Sequence, residues 1–137
     1  MNYHYEISGP DLNVFKHAFK KCISLAMDNG SRQMGIALHG KRKLDAPLVV
    51  KVLGKSVTEG LKKNNIVDLQ GFKIYLITER IDPPTDFGGP ILAPHVSLIF
   101  LTTIRAILGA TDIVYVPWTK DELKKYVSTY TSTKVGM

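Results

Sequence analysis

The chain has 137 residues, 45% hydrophobic and 22% charged, a composition typical of a folded domain and not of a disordered segment. Its single cysteine excludes an internal disulfide and a cysteine-rich zinc site. This length predicts a single domain over residues 1–137. Because the first ten residues have neither the basic region nor the apolar region of a secretory signal, we expect a cytoplasmic protein.

The positive charge of the chain is concentrated in its first half. Residues 1–65 contain 11 Lys and Arg against 5 Asp and Glu, a balance of +6, whereas residues 66–137 contain 7 of each. Such asymmetry is typical of a protein with an anionic partner, such as a phosphate ligand, a nucleic acid or an acidic protein surface. Lysines on an exposed helix face that only aid solubility would give the same pattern, and the sequence leaves both interpretations open.

The first predicted elements are a strand, a helix and a second strand. Residues 2–8 alternate Tyr and Ile with polar residues, as a half-buried strand does, and we expect this strand at an edge of the sheet. Asp11 is placed to cap a helix with apolar residues at helical spacing over 12–26, which an Asn-Gly pair ends. The short apolar run 33–39 predicts a buried strand.

A turn with three consecutive cations follows, "GKRKL" at residues 40–44. Asp45 and the Ala-Pro pair after it predict the beginning of a helix, because proline lacks an N–H that the first helical turn does not use. Apolar residues over 48–61 form the buried stripe of this helix, and two lysines at 62–63 complement the dipole at its end.

The second half of the chain continues the alternation. We predict a strand at 72–79, a loop at 80–90 with three prolines and two glycines, a short strand at 90–94, a buried helix at 96–110 and an apolar strand at 112–118. Thr119 and Glu122 have the spacing of a capping box and predict a last helix. We expect the tail 131–137 to fray.

Strands that alternate with helices, and that are apolar on both faces, predict an α/β fold. The expected architecture is a three-layer αβα Rossmann-like sandwich with a mostly parallel sheet of four to five strands. Ligands of such sheets bind beyond the carboxyl ends of the strands, near a topological switch point. This rule selects three loops as candidate binding loops, "HGKRK", "ERIDPPTDFGG" and "PWTKDE".

The basic turn is the strongest candidate for a phosphate site. Gly40 permits close approach of the backbone, and Lys41, Arg42 and Lys43 supply positive charge next to the predicted beginning of a helix. Neither of the glycine-rich phosphate-binding motifs is present, and Asp45 competes for the helix N–H groups.

The other candidate binding residues come from the same strand ends. His39 is a candidate acid or base, although a hydrogen-bonded structural histidine is the favoured interpretation. Glu79 and Asp82 are candidates to accept hydrogen bonds from ribose hydroxyls, and Asp86 is a candidate residue of a mobile lid. In the alternative interpretation, Glu79 only forms an ion pair with the next arginine on the surface. Trp118 would stack on a base or cover one end of the core.

No catalytic residue, metal site or cofactor is indicated by the sequence. The four histidines have no metal-binding spacing, and there is no motif of a nucleophilic serine. Cys22 has the helical spacing of a core residue. Whether the protein is an enzyme is therefore left open.

Three functions remain as hypotheses. The leading one is binding of a phosphorylated small molecule or a nucleotide at the carboxyl-end loops. The alternative is a non-catalytic interaction or self-assembly module, which would form a homodimer or larger homo-oligomer. The third is nucleic-acid binding by the basic first half. We expect no membrane segment, because Pro94, His95 and Arg105 interrupt the apolar run 91–110.

Overall fold

A computed structural model describes residues 1–137. The strands are Asn2–His4 (β1), Gln33–Ala37 (β2), Ile66–Leu69 (β3), Phe72–Ile77 (β4), Gly89–Pro94 (β5), Ala110–Val116 (β6) and Thr133–Lys134 (β7). The helices are Leu12–Asp28 (α1), Pro47–Leu53 (α2), Lys55–Asn64 (α3), Leu98–Arg105 (α4) and Lys120–Thr129 (α5), with a 3₁₀ helix at Lys41–Asp45. None of the helices has the length and apolar content needed to cross a membrane.

The seven strands form one sheet in the order β3-β4-β2-β5-β6-β1-β7. All neighbouring strands are parallel except β3 and β4, which are antiparallel. The prediction of an α/β fold with a mostly parallel sheet is confirmed, and the arrangement is consistent with a Rossmann-like sandwich. The predicted number of four to five strands is wrong, because two short strands were not recognised.

Helices cover both faces of the sheet, and the period of two along the strands explains how. Met34 and Ile36 of β2 point to the core beneath α1, α2 and α3, whereas Ala37 points to the core beneath α4 and α5. The same alternation divides β4, β5 and β6 between the two cores. Each central strand is therefore apolar on both faces, as expected of a buried parallel sheet.

Two helix starts follow the sequence closely. The Asp11 carboxylate accepts a hydrogen bond from the Val14 N–H at 3.0 Å, which caps α1 as predicted. At α5, the Thr119 hydroxyl accepts from the Glu122 N–H, and the Glu122 carboxylate accepts from the Thr119 N–H, both at 3.2 Å. This reciprocal pair is the predicted capping box.

The strand β3 was missed because it is short and half exposed. It forms a tight hairpin with β4, joined by Gln70 and Gly71, whose φ angles are 54° and 95°. Two consecutive residues with positive φ form a turn whose twist matches the twist of the two strands that it joins, as in a two-residue hairpin. The antiparallel pairing at this edge of the sheet follows from the local turn, and Ile66 and Val67 of β3 also pack against the two cores.

The N-terminal strand is not at an edge, contrary to the prediction. β1 lies between β6 and β7, and the backbone N–H of Val135 donates to the His4 carbonyl at 2.8 Å. The tail 131–137, which we expected to fray, contributes the two-residue strand β7. A two-residue strand has too few side chains to show a periodic pattern.

The single helix predicted after the basic turn is instead a 3₁₀ helix followed by α2 and α3. Gly54 separates the two α-helices with φ 90°, a conformation that favours glycine. Asp45 does not cap α2, since its carboxylate forms an ion pair with Lys62 of α3. The fourth helix is also shorter than predicted, because the backbone turns at residues 106–109 and β6 begins at residue 110.

The packing of the amino ends of the strands predicts an asymmetry between two adjacent glycines. A Cβ added at Gly89 would lie 2.1 Å from the Gln33 carbonyl oxygen, whereas one added at Gly88 would meet no atom within 4 Å. We expect Gly89→Ala to lower the free energy of unfolding by about 1–3 kcal/mol, because backbone atoms must shift, and Gly88→Ala to change it by less than about 0.5 kcal/mol. Urea denaturation measures both variants. Equal stability of the two variants would contradict this packing.

Candidate functional site

The most prominent cavity lies at the carboxyl ends of the central strands and has a volume of about 490 Å³. Its walls come from the carboxyl ends of β2, β5 and β6 and the residues after them, from the beginning of α1 and the loop before it, and from the 3₁₀ helix and α2. Residues that are distant along the chain therefore meet here, as the carboxyl ends of parallel strands do in this class of sheet.

The sheet order makes this position a topological switch point. After β2 the chain moves to β4 on one side, with α2 and α3 on one face of the sheet. After β5 it moves to β6 on the other side, with α4 on the opposite face. Since β2 and β5 are neighbours, their outgoing connections diverge and leave a crevice between them.

The deeper part of the cavity wall is apolar. Phe15 at the beginning of α1, Leu38 after β2 and Val49 in α2 are each at most 5% exposed and line it. Trp118, which follows β6, also lines the cavity and is 49% exposed. Polar groups enter the lining at three positions only, His39, Lys43 and His95.

The three cations of the basic turn do not share one environment. Lys41 donates from Nζ to the Lys62 carbonyl at 2.7 Å, and Arg42 is exposed outside the cavity. Lys43 lines the cavity and forms no ion pair within the chain. Gly40 precedes the 3₁₀ helix with an extended backbone, and a Cβ there would meet nothing within 4 Å, so the fold itself does not require glycine.

His39 connects the two diverging chain segments. Its Nε2 accepts a hydrogen bond from the backbone N–H of Ser97 at 3.1 Å, where Ser97 caps α4. The proton of the neutral ring is therefore on Nδ1, which lies 3.4 Å from the Glu79 carboxylate. With one nitrogen on a backbone N–H and the other on a carboxylate, His39 has the contacts of a structural residue.

His95 has an unusual backbone. It follows β5 with φ 58°, a left-handed conformation that is rare for residues other than glycine. Its N–H donates to the Val116 carbonyl at 2.8 Å, and its Nε2 donates to the Gly9 carbonyl at 2.9 Å. The imidazole also packs at a steep angle against the Trp118 indole, with ring centroids 4.9 Å apart. These contacts hold the residue in its strained conformation.

The three predicted acidic residues, Glu79, Asp82 and Asp86, do not line the cavity. Asp82 is exposed in the loop after β4 and does not line the cavity. Asp86 is exposed next to Phe87, which is buried against Tyr75. The N–H of Gly88 then donates to Gln33 at the amino end of β2. This loop therefore runs to the amino ends of the strands, and the structure does not bring Asp86 to the cavity.

His95 was not among the predicted binding residues. In the sequence it lies within an apolar run, and the candidate loops follow three other strands. The signal that would have found it is its position directly after a predicted strand, "PILAP", since the same carboxyl-end rule applies to every parallel strand.

Comparisons of the chain with models of known protein families, with curated proteins and with solved structures found no match. No group of three or more His, Cys, Asp and Glu side chains is arranged to hold a metal ion. The arrangement of side chains in the cavity is thus the basis for assigning a function.

The burial of His95 predicts how stability depends on pH. Burial lowers the pKa of His95 below its ordinary value of 6.5, although the Gly9 carbonyl and the Glu122 carboxylate partly oppose the effect. Unfolding exposes the ring, so the unfolded state binds a proton more readily. The stability from this group is complete above pH 6.5 and is lost as the pH falls below 6.5 towards the native pKa.

We expect the free energy of unfolding to decrease as the pH falls below 6.5, and to decrease less in His95→Asn, whose side chain does not titrate. Urea denaturation at several pH values measures both slopes. Trp118→Phe is the control, since it changes a neighbour of the imidazole and removes no titrating group. An identical pH dependence in His95→Asn and in the parent protein would contradict the assignment.

Proposed function

We propose that the protein binds a phosphorylated small molecule that contains a planar ring, with nucleotides as the leading class, in the cavity at the carboxyl ends of β2, β5 and β6. The observation that carries the proposal is the combination of an apolar wall, a half-exposed indole and one unpaired lysine around a single cavity. The proposal concerns binding and assigns no reaction.

The size and position of the cavity support a small ligand. Its volume of about 490 Å³ lies within the range of about 300–1,000 Å³ that is usual for small-molecule sites. Rossmann-like sheets bind nucleotides at this edge, where neighbouring connections diverge. Lipid or peptide ligands of larger size would need a groove that extends beyond these walls.

The apolar wall supports a ring as one part of the ligand. Trp118, Phe15, Leu38 and Val49 all line the cavity, and their apolar surfaces would exclude water from a bound ring. Stacking of a base on an aromatic side chain contributes about 1–3 kcal/mol in nucleic-acid complexes. A purely polar ligand, such as a sugar phosphate, would leave this wall in contact with water.

The lysine supports an anionic group as the other part. Lys43 lines the cavity at its polar side, and an ammonium group there would donate to phosphate oxygens. All three side chains are exposed and screened by water, but Lys41 and Arg42 do not line the cavity. Their contribution would be to attract an anion from solution and not to hold it.

This difference between the cations predicts an ordered series of affinities. We expect Lys43→Gln to weaken binding of nucleoside monophosphates roughly tenfold, because a charge-assisted hydrogen bond is lost, and Arg42→Gln to weaken it less than about threefold. The chain has one tryptophan, and it lines the cavity, so its fluorescence reports binding directly. Titrations with nucleotides at low and high salt measure the dissociation constants.

The matched control is Lys124→Gln with Lys125→Gln, since these exposed lysines of α5 are outside the cavity. The control variant should bind like the parent protein. No fluorescence change with any nucleotide, together with no signal in calorimetry, would refute the proposal. Affinity only for oligonucleotides, with a steep dependence on salt, would favour nucleic-acid binding instead.

A further inference from the structure

The hydrogen bonds of His95 determine which of its ring nitrogens carries the proton. A carbonyl oxygen only accepts, so the contact between Nε2 and the Gly9 carbonyl at 2.9 Å places the proton on Nε2. In the neutral ring, Nδ1 then presents a lone pair. Burial, which lowers the pKa of His95, favours this neutral form, and the Glu122 carboxylate in the first turn of α5 opposes it more weakly.

The lone pair on Nδ1 has no partner within the chain. No hydrogen bond involves this atom, and it is not among the buried polar atoms that lack a partner, so solvent reaches it. The contrast with His39 is direct, because both nitrogens of that ring face protein groups. Of the two imidazoles in the cavity wall, His95 is therefore the one with a free acceptor.

The backbone conformation points to the same residue. A left-handed φ in a residue with a side chain costs about 1–2 kcal/mol and persists only where the surrounding contacts maintain it. Here the contacts with Val116 and Gly9 maintain it and orient the ring at the cavity. Such strain is concentrated at ligand-binding sites, where it fixes a side chain before the ligand arrives.

We propose that Nδ1 of His95 accepts a hydrogen bond from the bound ligand, and that the pocket therefore selects ring-containing phosphates that carry an N–H or O–H donor. Aminopurine nucleosides, with an amine on the base and hydroxyls on the ribose, are the class that this acceptor fits. The inference rests on the proposed binding of a nucleotide-like molecule in the same cavity.

The position of Trp118 explains why the donor belongs to the ring or to the sugar next to it. The imidazole and the indole are in contact, with centroids 4.9 Å apart, and both line the cavity. A ring that lies on the indole is therefore also beside His95. A ligand of the same shape without the donor would displace water from Nδ1 and leave the acceptor unpaired, which weakens binding roughly tenfold or more.

The test uses three probes that differ in their donors: adenosine monophosphate, deoxyadenosine monophosphate and purine riboside monophosphate, which lacks the amine. We expect one of the two analogues to bind the parent protein roughly tenfold more weakly than adenosine monophosphate. His95→Gly, which tolerates the left-handed backbone, should weaken adenosine monophosphate roughly tenfold and should not weaken that analogue further.

A second variant keeps the test informative if His95→Gly does not fold. Asn also tolerates a left-handed backbone, and its side-chain oxygen occupies the place of Nδ1. His95→Asn should therefore retain the preference for adenosine monophosphate.

Equal affinities of the three probes for the parent protein would overturn the role of His95 and leave the proposed function standing. Binding of adenosine monophosphate to His95→Gly as tightly as to the parent protein would have the same meaning. No binding of any probe to the parent protein, with no change in Trp118 fluorescence, would overturn both proposals.

Discussion

The architecture depends on the divergence of two neighbouring parallel strands. β2 and β5 lie side by side, and yet the chain leaves them towards opposite sides and opposite faces of the sheet. Apolar residues on both faces of each strand require this arrangement, because one layer of helices would leave the other face in water. The crevice between the diverging connections is a consequence of covering both faces, and the hydrogen bond from Ser97 to His39 joins its two walls at 3.1 Å.

The two histidines of the cavity show how environment assigns different roles to one residue type. His39 has a backbone donor on one side and the Glu79 carboxylate on the other, so its contacts are complete within the chain. His95 has one contact of this kind and keeps the second nitrogen open. No sequence pattern separates them, since each lies within two residues of the carboxyl end of a strand. The difference arises from whether the fold brings a second protein group close to the ring, as it brings the Glu79 carboxylate to 3.4 Å from Nδ1 of His39.

Much of the fold could be predicted because it is encoded locally. The period of two in β2, the Asp11 cap and the pair of Thr119 and Glu122 act through neighbours in the chain, so the sequence reveals them. β3 and β7 contain four and two residues, too few to show a period. The break at Gly54 could not be predicted from a glycine alone, since helices tolerate one at a cost of about 1 kcal/mol.

The candidate site could likewise be predicted only in part. The rule that ligands bind beyond parallel strands selected His39, Lys43 and Trp118 as candidates, and these three side chains line one cavity. The rule cannot tell which side chain of a loop turns inwards, and so it treated Lys41 and Arg42 as equal to Lys43. The rule also does not take into account that a loop can run away from the carboxyl ends of the strands. Because β4 and β5 both run parallel to β2, the chain after β4 must return to the amino ends of the strands before β5 begins. The packing of Phe87 against Tyr75 and the hydrogen bond from the Gly88 N–H to Gln33 hold this returning segment in place.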